Sequence, residues 1–179
     1  MIKGYLPTIF LFLIFSHNVT SQNKNLSSLL IPLELKENAN AVIRNNVVEV
    51  YIEDVDRMTI KKKRVITVLN KVGDREIDTY VHYNNDTKIS KLSVKIYDAF
   101  GKEIKKYSKN KFTDISAVDG GTLYSDARVK YIEYTPTKYP YTVVFENEYK
   151  TSSTGFIPKW YPLESFFVSV QKSEFKVYN

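Results

Sequence analysis

The sequence predicts an all-β fold, an antiparallel β-sandwich of immunoglobulin-like or related kind with a short N-terminal arm. Three observations carry that prediction. From Ala41 onward apolar residues recur with period two, and amphipathic helical spacing is missing. Turn signals interrupt the alternation at intervals of about ten residues. Tyrosine is abundant, with 13 of 14 copies beyond residue 21, and aromatic side chains suit a pleated, half-buried surface.

Residues 1–21 are set apart from that domain. Lys3 supplies a positive charge, Tyr5 to Phe15 form an uncharged apolar run, and Val19-Thr20-Ser21 place small residues before Gln22. This is the pattern of a cleavable secretory leader. The apolar run is shorter than the roughly 20 residues a membrane-spanning helix needs, and no second such stretch follows. A periplasmic or secreted product without a transmembrane segment after leader removal is therefore expected. Between Gln22 and Asn40, Leu26, Leu29, Leu30, Leu33 and Leu35 gather around Pro32, which predicts a short helical or irregular arm over 22–40 lying on the domain.

Residues 41–179 make up the sandwich. Leu92, Val94 and Ile96 alternate with Lys91, Ser93 and Lys95, as in a half-buried strand. Val65 and Thr67 alternate with Arg64, Ile66 and Val68, a strand with apolar side chains on both faces. Val129 and Tyr131 alternate with Lys130, and Val143, Phe145 and Tyr149 with Glu146 and Glu148. These two segments are expected to pair as neighbours, with Arg128 and Lys130 on the face opposite the core. Val168, Val170, Phe175 and Val177 continue the strand pattern. Val72-Gly73-Asp74 and Asp98-Ala99-Phe100-Gly101-Lys102 read as hairpin turns. Asp119-Gly120-Gly121 breaks the chain again, and Pro136, Pro140, Pro158 and Pro162 confine their neighbours to edges and loops.

Composition narrows the function. About 158 residues remain after the leader, enough for one domain, and 43% hydrophobic with 26% charged residues is ordinary globular usage. The formal charge of +6 falls to +5 without Lys3. Outside the cytoplasm so mild an excess does not point to nucleic acid. The basic runs Lys61-Lys62-Lys63-Arg64 and Lys102 to Lys111 read as solvated sheet faces. With no cysteine there is no disulfide and no thiol nucleophile. His17 belongs to the leader, so His82, inside a strand-like run, is the sole base a serine triad could use. Zinc ligands are equally scarce. Asp114, Asp119 and Asp126 are the one carboxylate group in a loop-rich stretch; a glycosidase pair there depends on a separation that sequence does not give, and a calcium site lacks the alternating acids of a helix-flanked calcium loop. Tyr131, Tyr134, Tyr139, Tyr141, Trp160 and Tyr161 could stack sugars or grip a peptide, or simply pack.

Three stretches carry a resemblance: Arg64 to Asp74 (RVITVLNKVGD), Val94 to Lys106 (VKIYDAFGKEIKK), and Leu123 to Tyr131 (LYSDARVKY) followed by Tyr139 to Glu146 (YPYTVVFE). In order and spacing, from about Asn40 to Asn179, the chain resembles the bacterial domain of unknown function 3857 family, the N-terminal module of transglutaminase-like envelope and secreted proteins. The resemblance implies an all-β module without catalytic residues of its own, the cysteine, histidine and aspartate of the papain-like triad lying in the following domain. Strand pattern persists up to Asn179, so the chain is expected to be a piece that stops before a transglutaminase-like core.

The functional expectation is a non-catalytic module with a structural or recognition role, using neither cofactor nor metal. Its partner is expected to be the downstream transglutaminase-like domain of the same polypeptide, with envelope glycan or peptide as a further candidate. Arg128, Lys130, Tyr139, Tyr141, Trp160 and Tyr161 are the candidate partner surface. A stand-alone glycan- or peptide-binding protein and, more remotely, a carboxylate-dependent hydrolase are the alternatives.

Overall fold

A computed structural model describes residues 24–117 and 125–179. The leader over 1–21 and the Asp119-Gly120-Gly121 break lie outside the described residues. Ten strands are formed among those described: β1 (Ala41–Asp54), β2 (Arg57–Val68), β3 (Tyr80–Tyr83), β4 (Thr87–Tyr97), β5 (Glu103–Ser108), β6 (Thr113–Ser116), β7 (Arg128–Tyr131), β8 (Tyr141–Thr151), β9 (Val168–Val170) and β10 (Ser173–Tyr178). The one α-helical turn, α1 (Leu33–Lys36), belongs to the arm. No described helix is long and apolar enough to cross a membrane.

The strands build an all-β sandwich of unequal halves. The large sheet runs β10-β1-β2-β8-β4-β5, with β9 also on β1, and the small sheet runs β3-β7-β6. Most pairings are antiparallel, as expected. β9 and β10 instead lie parallel to β1, one after the other along its edge. A parallel partner cannot arrive by a hairpin, and here the chain returns to the edge of β1 through the long connection after β8.

The side-chain parity of β2 and β8 decides what lies inside. Residues directly opposite each other across a pair share a face, so Ile66 with Val143, Arg64 with Phe145, Lys62 with Asn147 and Ile60 with Tyr149 form successive inward rungs. The main core collects Ile43, Ile66, Val94, Ile96, Val143 and Phe145 with Val81 from the small sheet. Val48, Val50, Met58 and Ile60 form a second cluster at the far end of the same face. On the outer face Val65, Tyr97 and Val144 make a third, closed by Leu26 of the arm. β2 thus buries apolar side chains on both faces, as its sequence predicts.

The arm is held by polar contacts more than by its leucines. The Ser28 N–H and both the Ser27 and Ser28 hydroxyls donate to the Ala99 carbonyl, each at 3.0 Å, and Arg44 donates to the Ser27 carbonyl at 3.1 Å. Leu29, Leu30 and Leu33 stay exposed, while Leu26 of the same leucine cluster packs on the outer face. Ser and Thr fit here because the outer face of β2 and β8 offers Thr67 and Thr142, bonded to each other at 2.8 Å, and Thr142 donates to the Leu26 carbonyl.

Of the two hairpin turns the sequence predicts, one forms. Asp98 accepts from the Phe100 and Lys102 N–H groups and Gly101 takes φ 81°, closing β4 onto β5. Val72-Gly73-Asp74 instead lies in a 3-10 turn, Lys71–Glu76, that carries the chain from the large sheet to the small one. The Asn70 side chain accepts from the Val72 and Gly73 N–H groups, and its amide donates to Asn40 Oδ1 at 3.0 Å. A Cβ on Gly73 would stand 2.3 Å from the Asn40 carbonyl oxygen.

Two substitutions test this packing by chemical denaturation. Phe145→Ala empties an aromatic core site and is expected to cost about 3–5 kcal/mol. Gly73→Ala must push the turn off the Asn40 backbone and is expected to cost about 1–3 kcal/mol, the usual range for overpacking. A Gly73→Ala protein as stable as the parent would show that the turn is not pressed against Asn40.

Candidate functional site

Three polar centres can be built from the strands upward. The first joins the small sheet. Tyr83 on β3, Asp114 on β6, and Arg128 and Lys130 on β7 meet because Val81 opposes Lys130 and Lys130 opposes Asp114. Tyr83 donates to Asp114 at 2.8 and 2.7 Å, Arg128 Nε at 3.0 Å and Lys130 Nζ at 2.5 Å. Desolvation raises the Asp114 carboxyl, but the bonds from Lys130, Tyr83 and Arg128 together outweigh it and hold the pKa at about 2. Arg128 and Lys130 therefore neutralise an internal acid, and not Glu146 or Glu148. β7 and β8 lie in different sheets, so the expected pairing of Val129 and Tyr131 with Val143 and Phe145 does not form. The faces are also exchanged: Lys130 shares the inward face with Val81 and is only 18% exposed, while Val129 and Tyr131 share the outward one with His82 and Tyr80. Asp126 accepts from the Asn85 N–H at 2.8 Å, tying two loops together, and Asp119 lies outside the described residues.

The second centre lies where the 3-10 turn meets β8. Tyr139 and Tyr141 both donate to Asp74, the latter at 2.7 Å, and the Tyr139–Pro140 bond between them is cis. Tyr141 is 1% exposed. It belongs to the core, which corrects its place in the candidate partner surface: it opens the inward row of β8, and only its hydroxyl reaches a polar group. The hydrogen bond to Asp74 pushes the Tyr139 phenol up to about 12, and burial drives Tyr141 further up. Tyr134 packs edge-on against Tyr141 at 5.5 Å, so the aromatic group divides into packing residues here and a separate set around Trp160.

The third centre is a cleft of about 510 Å³ between the inner face of the large sheet and the small sheet. Its floor is the rung pair that interrupts the two inner apolar clusters: Asn46, Lys62, Arg64 and Asn147. Lys62 and Arg64 thus face inward, which corrects their reading as part of a solvated run; Lys61 and Lys63 do face out. Arg64 is satisfied at its fork, reaching Asp78 at 3.2 Å, pairing with Glu164 and donating to the Glu76 carbonyl at 3.1 Å. Asn46 also donates to Glu164, at 2.9 Å. Arg64 Nε and Asn147 Oδ1 are buried without a hydrogen-bond partner. Lys62 has no carboxylate partner among the described residues; its ammonium stands 6.0 Å from the Tyr149 ring. Burial pulls the Lys62 pKa below the ordinary lysine range. Trp160 and Tyr161 line the opening, as does His82.

The loop that carries Trp160 is pinned at several points. Trp160 Nε1 donates to Ser173 Oγ at 3.1 Å and its ring lies 6.0 Å from Phe175, Glu164 is held by Arg64 and Asn46, and the Phe167 carbonyl accepts from the Asn40 N–H at 2.7 Å. Along this segment apolar side chains turn outward: Phe156, ahead of the first anchor, is 83% exposed, and Leu163 and Phe166, between the anchors, are 75% and 87% exposed. Among the described residues no group of three or more histidine or carboxylate side chains is placed to hold a metal ion.

Lys62, Asn46, Asn147 and Glu164 were not singled out from the sequence. A signal for the first existed, since Lys62 and Arg64 are in phase with Ile60, Ile66 and Val68 along β2.

The acid limb of the stability curve tests the first centre. A carboxyl depressed in the folded state adds stability above its unfolded pKa near 4, and that stability is lost as pH falls through about 2. Allowing for screening by water, the contribution is about 1 kcal/mol. The stability gap between the parent and Asp114→Asn is expected to be full above pH 4 and to narrow towards pH 2 in urea titrations. A gap independent of pH would remove Asp114 from the ionised cluster.

No curated protein matches the chain at a significant level. Among solved structures, a protein from Parabacteroides distasonis provisionally described as a protease superposes with a TM-score of 0.52 at 15% identity. The match covers 69% of this chain and 24% of that one, so the chain spans about a quarter of the length of its structural neighbour. At that identity the likeness shows the fold alone. The sequence profile of one family matches residues 55–178, beginning inside the β1–β2 turn and running to the end of β10. The resemblance drawn from strand order is thereby established: the chain belongs to the DUF3857 family, a domain of unknown function with solved structure.

Proposed function

We propose that this chain is a non-catalytic β-sandwich module of an exported transglutaminase-like protein, and that it serves by packing against the domain that follows it in the same polypeptide. The observation that carries this reading is the pinned loop. Apolar side chains exposed on a free loop usually turn inward or move; here the anchors at Trp160, Glu164 and Phe167 hold the backbone while Phe156, Leu163 and Phe166 point to solvent. Large apolar side chains held exposed on one segment point to an interaction site. The occupant we favour is the rest of the polypeptide, because the structural neighbour carries this fold as about a quarter of a longer chain. Trp160 and Tyr161 then form the inner margin of the interface, Tyr139 flanks the core beneath Asp74, and Arg128 and Lys130 serve the small sheet.

Support for the absence of chemistry comes from His82. It lies exposed on β3, edge-on to Tyr80 at 5.3 Å, and a general base needs an orienting acid and a nucleophile within hydrogen-bond reach.

Two measurements test the proposal. The isolated domain is expected to show no amidase, protease or acyl-transfer turnover, and His82→Ala to leave stability within about 0.5 kcal/mol of the parent, as for an exposed strand position. Turnover abolished by His82→Ala would overturn the non-catalytic assignment. Separately produced halves of the intact polypeptide are expected to associate, and Phe156→Asp with Phe166→Asp to abolish that association while leaving the melting temperature of this domain unchanged. Undiminished association of the doubly substituted domain would place the interface elsewhere.

A further inference from the structure

The cleft beneath Trp160 carries an inference that does not depend on docking of a following domain. Its floor combines groups that a folded protein rarely leaves unmatched. Asn147 is 4% exposed and its Oδ1 has no donor; Arg64 Nε is buried with no acceptor. Lys62, the direct cross-strand neighbour of Asn147, brings an ammonium to the same rung without a carboxylate to meet it. A buried polar atom without a partner costs free energy each time it occurs, and a desolvated cation without a counter-charge costs more. Three such groups within two adjacent rungs define a demand for matching ligand chemistry: an anion for Lys62 and Arg64 Nε, and an N–H or O–H donor beside it for Asn147.

The walls narrow that demand. Tyr149 stands near the Lys62 ammonium, Trp160 rises from the opposite loop, and Val48 adds apolar surface. Glu164 and Asp78 are already engaged by Arg64, which leaves the cation of Lys62 as the free charge of the floor among the described residues. We infer that the cleft binds the C-terminal residue of a peptide, its free carboxylate on Lys62, its own backbone N–H on Asn147 Oδ1 and its side chain between Tyr149 and Trp160. A terminal residue carries carboxylate, N–H and side chain on a single Cα, the compact trio that two adjacent cross-strand positions and a flanking ring can reach together. Capture of a terminal carboxylate is an established recognition mode, made here by a lysine side chain in place of a nest of backbone N–H groups. The ligand is bound and not transformed, so no bond is made or broken.

The protein contains a single tryptophan, so intrinsic fluorescence reports on Trp160 and hence on this cleft. The full chain is titrated with acetyl-Ala-Leu bearing a free carboxylate, with the same dipeptide as its amide, and with galacturonate as a carboxylate of sugar origin. We expect a saturable fluorescence change with the acid, and affinity at least about tenfold weaker for the amide, the ratio expected when a charge-assisted hydrogen bond is lost. Lys62→Met keeps the length of the side chain without its charge; it should abolish the preference for acid over amide while the melting temperature stays level or rises. Asn147→Leu should weaken the acid by a similar factor. The proposal is overturned if acid and amide bind alike, if Lys62→Met retains the preference, or if no saturable change appears below about 10 mM, a Kd corresponding to negligible recognition. Saturable binding of galacturonate with none of the peptide acid would overturn the peptide assignment in favour of an acidic sugar.

Discussion

The pairing of β2 with β8 sets the terms for the remainder of the molecule. These are the two interior strands of the large sheet with the longest uninterrupted mutual register, from Met58 opposite Thr151 to Val68 opposite Tyr141. A one-residue slip would turn every inward side chain outward. The register fixes Ile66 with Val143 and Ile60 with Tyr149 as apolar rungs, and by the same arithmetic it obliges Lys62 and Arg64 to face the interior between them. The outer face follows with equal necessity: Val65, Thr67, Thr142 and Val144 must be covered, and Leu26 of the arm supplies part of that cover. Arm, core and cleft are therefore consequences of one ladder.

Where local sequence carried the deciding physics, the fold was legible. Leu92, Val94 and Ile96 are buried because alternation on a half-buried strand leaves no other arrangement, and Asp98 to Lys102 forms its hairpin because Gly101 takes the positive φ and Asp98 caps the turn. The misreadings have a shared cause, which is that partner identity is not a local property. Val72-Gly73-Asp74 has hairpin composition, but the close approach of Asn40 to Gly73 bends it into a 3-10 turn between sheets. Arg128 and Lys130 alternate with apolar residues as a surface pair would, yet Asp114, opposite Lys130, pairs with both, leaving Arg128 exposed and covering Lys130. Tyr141 looked like one of several loop aromatics beside prolines, and its partner Asp74 is 67 positions away in sequence. The parallel attachment of β9 and β10 likewise depends on the edge left free by β1.

The candidate site was partly legible for a similar reason. Trp160 and Tyr161 stood out as aromatics near prolines, and they do line the cleft. Lys62 was hidden in a run of four basic residues whose composition suggests solvent. Parity contained the contrary signal, because charges at both parities of a strand cannot all be solvated when one face holds Ile60 and Ile66. The lesson is specific to sheets: in a strand, a basic run is two half-runs with different surroundings.

An interior polar rung also bears on why the core is divided. Had Lys62 and Asn147 been apolar, the main cluster around Ile66 and Phe145 and the distal cluster around Val50 and Ile60 would meet as one continuous layer. Replacing buried polar groups by well-packed apolar ones is commonly neutral or stabilising. The small sheet covers the first cluster through Val81, while Trp160 and Phe175 cover the second. Between them the Lys62–Asn147 rung lines the cleft. The interruption therefore works against the packing of this domain and gives nothing back through internal partners. Packing stability does not by itself favour a lysine at that register, whereas the ligand proposed for the cleft would supply the counter-charge that the domain lacks there.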